Sequence, residues 1–278
     1  MRKILFFFIL LVGNPRVTFC QTSFDLTSRG GHYYIVASVN KHDGVEVFVE
    51  SGLPGLLINE KNYEALFSDS LFEKVDSGYS WIKYQRGNHA VKKIRRGKVL
   101  IGDLSYQGII YVVDEYEKIG VPMHLLRNEK DSTANMLRFD LSQSKLDFVG
   151  KDAVDGMKID EYRLVETKPM PIVETTLLVV DPYGHSGSVK GKLIFDLGCG
   201  SALYLFTRNE SVQGFVRGNG LKVFSAKDKS GRTVGQALYA ASCRVGRQAQ
   251  QDIAIVLSDR VKISDTLGCI GLSLFGKG

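Results

Sequence analysis

Two acids in this chain each end an apolar run and open a turn of small residues. In KLIFDLGCGSALYLF, Lys192 to Phe206, the apolar Leu193, Ile194 and Phe195 lead to Asp196, then to Leu197, Gly198, Cys199, Gly200 and Ser201. In EVFVESGLPGLLI, Glu46 to Ile58, the run Val47 to Val49 leads to Glu50, then to Ser51 and Gly52. A carboxylate at the end of a core strand is costly unless it is paired or has chemical work to do. Two carboxyls sharing one site cannot both ionise easily, so one keeps its proton while the other is charged. That is a starting state for general acid–base chemistry.

The two stretches belong to a long internal repeat. Glu50 aligns with Asp196, Gly52 with Gly198 and Leu57 with Leu203, each pair 146 residues apart. Downstream, VLIGDLSYQGIIYVVDE (Val99 to Glu115) matches CRVGRQAQQDIAIVLSD (Cys243 to Asp259) at an offset of 144, which brings Gly102 onto Gly246. A looser match sets VPMHLL (Val121 to Leu126) against IGLSLF (Ile270 to Phe275). Two matches at nearly one offset predict duplicated lobes. The expected organisation is a signal peptide over 1–20, an N-terminal β lobe over 21–150, a charged connector over 151–170 and a C-terminal β lobe over 171–278.

The pattern resembles the aspartic peptidases of the retropepsin and pepsin type. Their signature is an apolar strand ending in Asp-Thr/Ser-Gly, followed by small residues, a second apolar strand and a later hydrophobic-hydrophobic-glycine element that braces the loop. Here the first loop is Glu50-Ser51-Gly52, the second is Asp196-Leu197-Gly198, and Ile270-Gly271 fits the bracing element of the second lobe. The resemblance implies a mainly β chain of two closed β lobes with a cleft between them, and Glu50 and Asp196 together at its centre. The charged acid would take a proton from a water, which attacks a peptide carbonyl. The neutral acid would hydrogen-bond the carbonyl oxygen. Peptide or unfolded protein is the implied partner. Ser51, Gly52, Gly198 and Gly271 would support the loops, and Tyr79, Trp81 and Tyr84 in DSGYSWIKY are the flap candidates by position.

Three residues depart from the family pattern. Glu50 adds a methylene where an aspartate is usual. Leu197 replaces the hydroxyl residue that locks the two loops, and Pro122 stands where the first lobe's bracing glycine is expected. The residues therefore leave three readings open: an aspartic endopeptidase, a catalytically degenerate relative that binds peptide or protein without cutting, and an unrelated exported β-rich ligand-binding protein, which would make the repeat an accident.

The rest of the chain supplies the setting. Among 278 residues, valine, isoleucine, glycine and tyrosine are plentiful, and proline occurs only 6 times. Long amphipathic helical patterns are rare, so mostly β structure is expected. MRKILFFFILLVGNPRVTFCQ has the basic start, short apolar core and small residues (Thr18, Cys20) of a cleavable leader, so export to the periplasm or outside the cell is expected. Cys20 is also the position a lipid anchor would use, although VTFC is a poor lipobox. Nine apolar residues are too few to span a bilayer. The net charge of +6 is spread out apart from VKKIRRGK, Val91 to Lys98. That run reads as a solvated hairpin face rather than a nucleic-acid site. The five histidines have no metal-ligand spacing, and no cofactor is expected. Beyond the leader, Cys199, Cys243 and Cys269 allow one disulfide and one free thiol, with Cys199–Cys243 as one pairing to consider.

Overall fold

The computed structural model describes residues 9–10, 22–76, 81–84, 87–114, 118–131, 134, 136–150, 164–166, 170–227, 230–231, 233–259 and 265–275. The chain divides into two units, Met1–Ile159 and Asp160–Gly278, and both are mainly β. Most of the expected leader and connector lies outside the described residues. Within the leader stretch, Ile9–Leu10 pair in parallel with Arg138 and Phe139.

In the first unit the strand His42–Glu50 is buried over its last four residues, which include the apolar Val47 to Val49. The chain turns through 51–55 and continues as the strand Leu56–Asn59. These two strands do not pair with each other. The strand Ile119–Pro122 lies between them, parallel to the first (Val121 opposite Val49) and antiparallel to the second (Gly120 opposite Leu57). Leu56–Asn59 then runs parallel to Leu104–Val113, the second arm of a long hairpin whose first arm is Gly87–Ile101. His32–Val39 meets that arm at Val39 and Ile101, which curls the sheet back on itself. Tyr34, Phe48, Leu53, Leu57, Ile94, Tyr111 and Val113 fill one core of this unit.

The second unit repeats the arrangement. Ser186–Phe195 leads to the Asp196 turn, Leu203–Phe206 follows, and Thr266–Ile270 lies between them. Leu203–Phe206 runs parallel to Gln248–Ser258 of the hairpin with Thr233–Val245. Ile172–Val180 pairs with both Ser186–Phe195 and Thr233–Val245, so this sheet also closes. Ile58 opposes Val112 and Tyr204 opposes Val256, so both units use one register at the repeat's offsets of 146 and 144. The hairpin turns match as well. Gly102 and Gly246 have φ of 57° and 58°, a left-handed conformation that glycine adopts without the Cβ clash other residues meet.

Each unit places one helix after the second strand, for the same local reason. Asn59 caps Glu60–Leu66 by accepting from the Asn62 N–H at 2.6 Å. Asn209 caps Glu210–Gly218 by accepting from the Ser211 and Val212 N–H groups. Both caps precede a glutamate in the first turn, where the helix dipole favours negative charge.

The basic run lies on the hairpin arm Gly87–Ile101, and neighbouring elements supply acids to it. Lys93 is beside Glu60 and Glu64, Arg95 pairs with Asp69, Arg96 with Glu73 and Lys98 with Glu129. Its charge is largely answered within the unit.

Candidate active site

Both acid loops are buried and hydrogen-bonded to their own backbone. Glu50 is 1% exposed and Ser51 is fully buried. The Glu50 Oε1 atom accepts from the N–H of Ser51 at 2.8 Å and from that of Gly52 at 2.7 Å. In the second unit Asp196 is 4% exposed, and its Oδ1 accepts from the Gly198 N–H at 3.1 Å. Each carboxylate therefore takes the N–H of the glycine two residues on. The Glu50 Oε1 thus bridges two successive N–H groups of its own loop.

The bracing elements differ between the units. The Asp196 N–H donates to the Ile270 carbonyl at 2.9 Å, and the Gly271 N–H donates to Ala202 at 3.0 Å. A Cβ at Gly271 would lie 2.1 Å from the Ser201 carbonyl oxygen and 2.8 Å from that of Cys199, so only glycine fits unless the backbone shifts. Pro122 occupies the matching place in the first unit, opposite Glu50 in the parallel register. Proline has no N–H to give, so the first loop lacks the counterpart of the Gly271 bond.

Leu197 is fully buried, so an apolar side chain fills the position to which the sequence resemblance assigns a hydroxyl. Trp81 and Tyr84 lie on the strand Trp81–Tyr84, which forms a hairpin with Gly87–Ala90, Trp81 opposite Ala90 and Tyr84 opposite Gly87. That hairpin extends the arm Gly87–Ile101. Tyr79 lies outside the described residues. Among the described residues no group of three or more His, Cys, Asp or Glu is arranged to hold a metal ion.

Two supports were not singled out from the sequence. Tyr106 is buried, donates its phenol hydrogen to the Ile109 carbonyl at 2.7 Å and accepts from the Leu56 N–H at 3.3 Å. It thus ties the exit of the Glu50 loop to the hairpin. Burial pushes its phenol up to about 12. Gly268 is the other: a Cβ there would lie 1.8 Å from the Tyr204 carbonyl oxygen. Its signal is present in GCIG, Gly268 to Gly271, because glycines punctuating an apolar strand mark close backbone approach.

A buried acid loop, a strand inserted between the two that flank it, and the repetition of both in two units define the fold of the aspartic peptidases. Among solved structures the chain is similar to the aspartic proteinase from Irpex lacteus, with a TM-score of 0.53 and 12% identity over 92% of each chain. A retropepsin-like aspartic protease from Rickettsia conorii also matches, at 16% identity over 46% of this chain and 91% of that one. Its TM-score of 0.29 is too low to bear on the fold. No protein-family model matches the sequence, and no curated protein does. At these identities the likeness is one of fold.

Proposed function

We propose that this chain is an exported aspartic-peptidase-like protein in which Glu50 and Asp196 form an acid pair that hydrolyses peptide bonds. The observation that carries the reading is the equivalence of the two acids. Each ends a core strand, each is buried, and each accepts the N–H of the glycine two residues on. In the proposed reaction the charged carboxyl removes a proton from a water, which attacks the peptide carbonyl. The neutral carboxyl hydrogen-bonds the carbonyl oxygen and stabilises the tetrahedral species. The substrate is an extended peptide or an unfolded protein, and the hairpin bearing Trp81 and Tyr84 is the proposed flap. The test is cleavage of a denatured protein or peptide library at acid pH. Asp196→Ala and Glu50→Gln are each expected to abolish turnover, and unchanged rates in both would end the acid-pair reading.

A second reading is favoured by two observations. Leu197 is fully buried in place of the loop hydroxyl, and Pro122 removes a bracing N–H beside Glu50. On this reading the chain keeps the fold and binds peptide without cutting it. Peptide binding that survives in Asp196→Ala, with no cleavage by the unmutated chain, would select it.

A further inference from the structure

We infer that Cys199 and Cys269 form a redox pair whose disulfide ties the Asp196 loop to the strand that braces it, and that Cys243 is excluded from it. All three are buried, and none is in a disulfide in this structure. They separate into two places. Cys243 is fully buried in the large core of the second unit with Leu177, Val179, Leu238 and Ile255, where burial pushes its thiol up to about 12. Cys199 and Cys269 share the other core of that unit with Met170, Ile172, Ile194 and Phe206.

The local geometry brings the two together at the acid loop. Cys199 is three residues beyond Asp196, and its N–H donates to the Asp196 carbonyl at 3.0 Å. Its Sγ donates to the Ser201 carbonyl at 3.1 Å. Cys269 lies on the bracing strand, opposite Ile194 on one side and Tyr204 on the other. Cys199 packs against the same strand: a Cβ at Gly271 would come within 3.2 Å of the Cys199 Cβ. Gly271 is extended, with φ of −94° and ψ of 160°. Residues two apart on an extended run face the same way, so the Cys269 side chain stands on the face that Cys199 contacts.

Oxidation needs a partner disulfide, such as oxidised glutathione. One cysteine thiolate attacks a sulfur of that disulfide, forming a mixed disulfide and releasing the first thiolate. The second cysteine thiolate then displaces the remaining one. Two S–H bonds break, one S–S bond forms, and the oxidant leaves as two thiols carrying the two electrons. The inference concerns the second unit alone and holds whether the chain cuts peptides or only binds them.

Tryptic cleavage makes the pairing readable. Cys199 falls on Leu193–Arg208, Cys243 on Thr233–Arg244 and Cys269 on Ile263–Lys277. The full chain is incubated with oxidised glutathione, remaining thiols are blocked with iodoacetamide, and an unreduced digest is read by mass spectrometry. Leu193–Arg208 joined to Ile263–Lys277 is expected, in the unmutated chain and in Cys243→Ala. The oxidised protein should melt higher than the reduced one by roughly 5 °C or more, a difference absent from Cys199→Ala and from Cys269→Val. A link through Cys243, or full alkylation of Cys199 and Cys269 after oxidation, would overturn the inference.

Discussion

Pro122 stands directly across from Glu50 in a parallel pair of strands, and Gly271 follows the Ile270 carbonyl that accepts the Asp196 N–H. The two braces occupy matching positions and differ in what they tolerate. Gly271→Ala must displace the Ser201 carbonyl from a 2.1 Å clash, at an expected cost of roughly 2–4 kcal/mol. Pro122→Ala meets no such clash and breaks no backbone hydrogen bond, so its cost is the two buried ring methylenes and the lost backbone restraint, roughly 1–2 kcal/mol. Urea unfolding of the two variants checks the contrast, and equal losses would contradict it.

The Glu50 and Leu197 departures are open to direct reversal. Glu50→Asp withdraws the methylene and should leave the Gly52 N–H contact, as Asp196 does with Gly198. Displacing a reacting group by about 1 Å can cost on the order of 100-fold in rate, so the change should raise any activity. Leu197→Thr alone is expected to cost roughly 1–3 kcal/mol, because it buries a hydroxyl in place of apolar surface. Together the two should gain more than the sum of their separate effects. Cleavage of a peptide library by wild type, both single variants and the double variant measures this. A double variant with no gain would speak for the binding reading.

Hydrolysis by the proposed pair should be strongest in acid. The reaction needs one neutral and one charged carboxyl, and like charges at close range separate the apparent titrations of a pair. Raising the pH removes the last shared proton, so the rate should fall roughly tenfold per pH unit above the upper titration. A rate that climbs steadily to about pH 9, or that a metal chelator blocks, would assign the chemistry elsewhere.

Tyr106 gives the first unit an alkaline limit. Burial, the largest cause, raises its phenol from 10.0 to about 12, so the fold favours the neutral form. That contribution is fully present below about pH 10 and is lost as the pH rises through about 12. Tyr106→Phe should cost roughly 1–2 kcal/mol at neutral pH through the Leu56 and Ile109 hydrogen bonds. It should also flatten the loss between pH 10 and 12. Denaturant melts of both proteins across that range are the measurement, and parallel curves would refute the assignment.

The sequence alone determined the position of each acid at the end of an apolar run, the glycine two residues after it, and a repeat that lines up Pro122 with Gly271. Those features are local, because strand burial and turn geometry act over a few residues. The asparagine caps and the glycine turns at Gly102 and Gly246 follow the same short-range rules. Tertiary structure alone decided the rest, because the contacts involved join residues far apart in the chain. Ile119–Pro122 enters between two much earlier strands, with Gly120 opposite Leu57 and Val121 opposite Val49, a pairing that no hydrophobic pattern encodes. The acids that answer the basic run come from the helix Glu60–Leu66 and from Asp69, Glu73 and Glu129. Cys199 shares a core with Cys269 rather than with Cys243 because the bracing strand, paired with strands on both sides, carries Cys269 to that core.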